Sequence, residues 1–182
     1  SDFDDIIKLS KICFPDSEPW NYEMLDSQFR TFPEGMIVIE YEGKIVGSAT
    51  SLIISWDEYD DDHTWKEICD NGYITNHDEE GDTLYGIEVM VHPDYQGLKI
   101  GRRLYDMRRQ LCVDKNLKAI LIGGRLPNYH KHSDDFGVRA YVKRVIEKKI
   151  KDPVLTFQLS QGFTIQRIIK DYLPDDKESE GY

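Results

Sequence analysis

Leu84-Tyr85-Gly86-Ile87-Glu88-Val89-Met90-Val91, then His92-Pro93-Asp94-Tyr95, then Gln96-Gly97-Leu98-Lys99-Ile100-Gly101, is the stretch that decides the fold. Its first eight residues form a nearly continuous apolar run, the pattern of a strand covered on both faces. His92–Tyr95 reads as a turn. Beyond it Ile100, Leu104, Met107 and Leu111 recur at i, i+4, i+7 and i+11, the apolar stripe of a helix. Leu117 to Gly123 reads as a second buried strand, so 84–123 is a strand–helix–strand unit with its two strands parallel and a right-handed crossover.

The start of that helix breaks two local rules. No Ser, Thr, Asp or Asn stands at its N-cap, so the first backbone N–H groups lack a side-chain acceptor. Lys99, Arg102 and Arg103 crowd the positive end of the helix dipole, where anions are favoured. A phosphate group would correct both faults. The segment therefore reads as an anion site; the competing reading is a solvated basic helix face.

With 182 residues the chain fits one domain, 1–182, and its apolar content of 40% is ordinary for a globular protein. No apolar run reaches the ~20 residues that span a bilayer, and no signal-peptide pattern opens the chain. Cys13, Cys69 and Cys112 are few and widely spaced, which suits a reducing, cytoplasmic setting better than a disulfide framework. A net charge of −11 makes nucleic acid and anionic membrane poor partners. Acids gather at 57–62, 78–82 and 175–180. Between Lys99 and Arg109 the balance reverses, with five cations against Asp106 alone. A basic patch on an acidic protein points to a small anionic ligand.

Around this unit the pattern gives a helix over Ser1–Phe14, with Ser1 a possible cap, and a second helix over Tyr22–Phe32. A hairpin follows, Met36–Tyr41 and Lys44–Ile54 about Glu42-Gly43. Residues 55–83, acidic and aromatic, read as an elaborated loop. Helices are expected at Val138–Lys149 and Pro153–Ser160, a strand at Phe163–Leu173, and a mobile tail or linker at 174–182.

The loop Gln96-Gly97-Leu98-Lys99-Ile100-Gly101 resembles the acyl-CoA motif (Gln/Arg)-x-x-Gly-x-(Gly/Ala) of the GNAT (GCN5-related) N-acetyltransferases. Its context agrees: Val91-His92-Pro93-Asp94-Tyr95 before, Gly101-Arg102-Arg103-Leu104-Tyr105 after, and Gln161-Gly162-Phe163 toward the end. Lys99 stands where the family carries its central glycine, which suits a residue with φ below zero. The family's first strand would lie before Ser1. A narrower likeness is to the GNAT-like domain that precedes a carbon–nitrogen hydrolase domain in bacterial two-domain proteins. It is carried by Asp62-His63-Thr64-Trp65, Gly123-Gly124-Arg125-Leu126-Pro127-Asn128-Tyr129-His130 and Asp152-Pro153-Val154-Leu155-Thr156-Phe157-Gln158-Leu159.

The resemblance implies a mixed α/β fold: a mostly antiparallel sheet with one splayed parallel pair. It also implies acetyl-CoA as acyl donor and a small amine or peptide amine as acceptor. The pyrophosphate would rest on the backbone of Gln96, Gly97, Leu98, Lys99, Ile100, Gly101 and Arg102, near the charges of Lys99, Arg102 and Arg103. The pantetheine arm would pair with Val89, Met90 and Val91, and an N–H near Met90 or Val91 would polarise the thioester carbonyl. Glu88 is the only charged residue from Leu84 through Val91 and faces away from Ile87 and Val89. A carboxylate in an apolar strand tends to a raised pKa, which suits a general base. Its alternative is a carboxylate paired with a neighbouring Arg or Tyr. Where many family members carry a tyrosine as general acid this chain has Gln158, which leaves Tyr129, Tyr141 or water to supply the proton. That departure admits a second reading, an acyl-CoA-binding regulatory module for a fused or partner carbon–nitrogen hydrolase, without turnover.

No metal is expected. His130, His132, Asp134 and Asp135 read as exposed loop residues, and the run from Asn76 fails a calcium loop at its first and twelfth positions. The phosphate loop of nucleotide triphosphatases is absent. The excursion from Trp56 to Tyr85 is either an acceptor pocket with a negative field or a solvated loop.

Overall fold

The computed structural model describes residues 2–59 and 62–182. The possible cap Ser1, and Asp60 and Asp61 of the acidic cluster, lie outside the described residues. Contacts gather the chain into two compact units, 1–59 with 66–122, and 60–65 with 123–182.

The first unit opens with helices α1 (Asp2–Cys13) and α2 (Tyr22–Thr31), the latter capped by Asn21, whose side chain accepts from the Met24 N–H. Strands β1 (Met36–Tyr41) and β2 (Lys44–Ile54) form the expected hairpin. Glu42 and Gly43 hold φ of 51° and 75°, the conformation a two-residue turn needs between right-twisted strands. β3 (Thr83–Val91), α3 (Ile100–Asp114) and β4 (Ala119–Ile122) complete the sheet in the order β1-β2-β3-β4. The first two pairings are antiparallel and β3 with β4 is parallel, the mixed α/β sheet expected. β2 lies between two strands and is buried from Val46 to Ile54. On one side Ile37, Val46, Ala49, Ile100 and Leu104 form a core cluster with Val89 and Val91 against it. A Cβ on Gly47 would lie 2.6 Å from Ile100 Cγ2, so this glycine lets the first turn of α3 seat directly on the sheet.

Three expectations need correction in this unit. Met107 is 47% exposed, and the buried arc of α3 runs instead through Ile100, Leu104, Tyr105 and Arg108, rotated toward a guanidinium that the sheet accommodates. Lys99 does not keep φ below zero: it is left-handed at φ 61°, ψ 20°, where it turns the chain into the helix, a conformation glycine adopts more readily. Residues 55–83 are more than a loop. They carry short helical turns at Trp56–Glu58, Trp65–Ile68 and Asp70–Gly72, and bury Ile68, Cys69 and Ile74 completely. His77 anchors the segment by accepting the Ile53 N–H at 3.0 Å and stacking on Phe32.

The second unit packs α4 (Val138–Ile146) and α5 (Pro153–Ser160) around Leu126, Tyr129, Tyr141, Val142, Val145 and Leu155. Asp152 caps α5 through Oδ1, which accepts the N–H groups of Val154 and Leu155 at 3.0 and 2.9 Å. The strand expected at Phe163–Leu173 does not form. Its apolar side chains Ile165 and Ile168 pack on the helical cluster, a spacing of three that no ladder uses. Residues 174–182 are packed as well. Arg125 pairs with Asp176 at 2.7 Å and with Glu178, Leu126 donates to Ser179 Oγ, and Tyr182 lies against Tyr129.

Candidate functional site

The register of β2 against β3 slips between Thr50 and Ser51, which face Glu88 and Gly86, so Ile87 is an extra residue in β3. This bulge turns β3 at the level of Glu88. Arg108 of α3, 1% exposed, fills the space behind it. Its Nε donates to Ser51 Oγ at 2.9 Å, and Nη2 donates to the carbonyls of Thr50, at 2.6 Å, and Glu88. Gly86 makes room: a Cβ there would lie 2.7 Å from Arg108 Cζ. Sequence reading placed Arg108 on a basic helix face and missed this role. The available signal was its position one helical repeat from Leu104, in phase with the buried residues, opposite a glycine in the facing strand.

The Glu88 side chain leaves the bulge away from α3. Its Oε2 accepts from Trp20 Nε1 at 3.2 Å and from Thr50 Oγ1 at 3.3 Å. Its Oε1 is buried and has no hydrogen-bond partner among the described residues. Burial pushes this carboxyl up to about 7; the Arg108 charge, the Thr50 and Trp20 hydrogen bonds and the Met90 N–H pull the other way without prevailing. Cys13, the last residue of α1, donates its S–H to the Val91 carbonyl at 3.5 Å, and burial with the nearby Glu88 charge pushes this thiol up to about 11.

Beyond Gly86 the β3–β4 ladder stops, since Gly86 opposite Ile122 is the last pair. His92 N–H donates to the Val46 carbonyl at 2.9 Å, on the β2 side. Backbone groups alternate along an antiparallel strand, so Met90 shares that edge with His92, while Val89 and Val91 present N–H and C=O to the open edge. The alternation separates the two N–H groups nominated for the thioester carbonyl: Val91 faces the open edge and Met90 the ladder.

After β3 a single 3₁₀ turn, Pro93–Tyr95, leads to the exposed segment Gln96–Lys99. Gly97 at φ 87° and Lys99 at φ 61° aim successive peptide groups inward. The N–H groups of Gly97, Lys99, Ile100, Gly101 and Arg102 have no acceptor among the described residues, and Lys99 offers no side-chain cap. Arg102 Nε lies 3.8 Å from Asp106 Oδ2, while Lys99 and Arg103 form no ion pair among the described residues. Unpartnered N–H groups, the helix dipole and the cations Lys99, Arg102 and Arg103 all belong to this one segment, a donor set that fits a diphosphate.

In the second unit Tyr129 is 6% exposed and packed against Tyr141 and Tyr182; burial, then the charges of Glu180 and Tyr182, raises its pKa. Tyr141 donates to Asp152 Oδ2 at 2.7 Å, and burial with that carboxylate raises its pKa too, so its proton is held within the core. Gln158 lies over Gly124, where a Cβ would meet its Oε1 at 2.2 Å. No group of three potential metal ligands occurs among the described residues, and no helix there is long and apolar enough to cross a membrane.

Over its whole length the chain is 55% identical to a probable hydrolase, YhcX, of Bacillus subtilis (strain 168), but spans only 35% of that relative. It is 40% identical to an uncharacterized N-acetyltransferase, YkwB, of the same organism and spans 82% of it. The loading GNATL domain of CurA from Lyngbya majuscula shares the fold, with a TM-score of 0.86 at 24% identity over 99% of this chain and 88% of that one. The model of the acetyltransferase (GNAT) family matches residues 3–133, and the chain belongs to that family.

Proposed function

We propose that the chain is an N-acetyltransferase that moves the acetyl group of acetyl-CoA to an amine. One observation carries the reading. Five unpartnered N–H groups with three cations stand at one end of the open β3 edge, and a carboxyl with a raised pKa stands at the other. The diphosphate would rest on Gln96–Arg103, and the pantetheine amides would pair with Val89 and Val91, beside Met90.

In this reading Glu88 accepts the proton that the amine loses as its nitrogen bonds to the acetyl carbon. The C–S bond breaks, and the departing thiolate takes a proton from water. The Val91 N–H polarises the carbonyl. Calorimetric titration with acetyl-CoA, CoA and ATP tests the binding half: micromolar binding of the first two and much weaker ATP binding is the expected result. A thiol-release assay across an amine panel tests turnover. Glu88→Gln should slow it at least about tenfold with acetyl-CoA affinity nearly unchanged. Wild-type rates in that variant would remove Glu88 from the chemistry. The acid-rich segment 55–83 would draw a cationic amine, and the cytoplasm is the proposed setting.

A second reading has its own support. The chain spans 35% of a relative named a probable hydrolase, and Gln158 stands where many family members carry a tyrosine. It would then be an acyl-CoA-binding regulatory module for a fused or partner carbon–nitrogen hydrolase. Acetyl-CoA binding without thiol release across the amine panel favours it.

A further inference from the structure

We propose that Trp20 and Thr50 are positioning residues that decide which oxygen of Glu88 accepts the proton. The inference rests on the acetyltransfer reading and deepens it. Trp20 lies between α1 and α2, 8% exposed, and its backbone N–H donates to Ser10 Oγ at 3.2 Å. Its indole Nε1–H can only donate, and it donates to Oε2. Thr50 sits opposite Glu88 in the β2–β3 register and donates its hydroxyl to the same oxygen. Both side-chain donors converge on Oε2, and Oε1 is buried with no hydrogen-bond partner among the described residues, although the Met90 N–H also favours the charged carboxyl.

A buried carboxylate oxygen without a donor is destabilised until one arrives. An ammonium N–H of the acceptor, or a water relaying its proton, supplies that donor. Arg108 holds the other end of the same residue through the Glu88 carbonyl, so backbone and carboxylate are tied from opposite sides of the sheet. The remaining titratable group beside Glu88 is Cys13 of α1, whose S–H is turned to the Val91 carbonyl. The assignment gives Trp20, which sequence reading passed over, a role in orienting the base.

Two variants test this, Trp20→Phe and the nearly isosteric Thr50→Val, each read in two ways. Carbon-13 NMR of protein labelled at glutamate Cδ, with the Glu88 resonance assigned through Glu88→Gln, follows the carboxyl directly. The pH profile of kcat/KM follows it in turnover. Each hydrogen bond favours the charged form, so its loss should raise the Glu88 midpoint by about one pH unit. The acidic limb of kcat/KM should rise with it, while the acetyl-CoA Kd stays at its wild-type value.

A merely structural role predicts the opposite sign. Loosened packing would admit water and lower the midpoint toward the ordinary 4.5. An unmoved or lowered midpoint in both variants overturns the proposal. Should Trp20→Phe fail to fold, Thr50→Val carries the test alone. If wild type turns over no amine, the acetyltransfer reading falls, and the NMR titration still decides separately whether these two donors hold the carboxyl.

Discussion

Glu88→Gln should remove a pH dependence of stability that runs opposite to that of most carboxylates. A carboxyl whose folded pKa lies above its unfolded value binds its proton more tightly when folded. It therefore stabilises the fold fully below the unfolded pKa, and that contribution is lost as pH rises through the folded pKa. The two values here are about 7 and 4.5. Linkage between them makes wild type lose about 2.5 kcal/mol between pH 5 and pH 8 on account of this one residue. Glutamine cannot titrate but keeps an acceptor for Trp20 and Thr50, so the other carboxylates cancel in the comparison. The fixed cost of a buried amide N–H where Oε1 stood cancels as well. The assay is urea unfolding of both proteins at pH 5, 6, 7 and 8. The expected result is a stability difference that moves by about 2.5 kcal/mol in favour of the variant, or about 5–10 °C in Tm. Parallel curves for the two proteins would refute the argument. A difference moving the other way would mean that the Arg108 charge outweighs burial.

Two further outcomes bear on the loop and the bulge. Lys99→Gly should stabilise the protein by about 0.5–1 kcal/mol, since a left-handed lysine costs about 1–2 kcal/mol and glycine's extra chain entropy returns only part of it. Differential scanning calorimetry should show Tm rising by about 1–4 °C, while calorimetric titration shows weaker acetyl-CoA binding from the lost cation; a fall in Tm would contradict the left-handed turn. Gly86→Ala puts a methyl 2.7 Å from Arg108 Cζ. It should cost about 3 kcal/mol in urea unfolding, by overpacking or by driving a buried cation from its acceptors, and a loss under about 0.5 kcal/mol would refute that packing.

The parts of this molecule legible in sequence are those where one periodicity acts alone. The hairpin Met36–Ile54 was legible because alternation and Glu42-Gly43 point the same way, and β3 because an apolar run ends in a turn. The uncapped start of α3 was legible as a violation of the capping rules, and the structure keeps it uncapped. What stayed hidden is whatever depends on a partner far along the chain. Arg108 is indistinguishable from a solvated cation until Gly86 and the bulge stand opposite it. Trp20 is one aromatic in a linker until Glu88 is 3.2 Å away. The tail 174–182 is polar, and its acids look solvated until Arg125 pairs with them.

Phe163–Leu173 misled for the complementary reason. It has the composition of a strand, but Ile165 and Ile168 pack on the helical cluster, and tertiary packing overrides β-propensity. The same dependence on distant partners explains how one glutamate can carry a raised pKa inside the sheet. Arg108 supplies the bulge with donors and holds the Glu88 carbonyl from the α3 side, so the strand can turn there without orphaning backbone acceptors. Trp20 and Thr50 fix one carboxyl oxygen from the other side, and the second has no donor among the described residues. The unsatisfied group is thus confined to a single buried atom. A carboxylate placed in a regular, unbulged strand would be either fully paired and inert, or unpaired and too costly to keep buried.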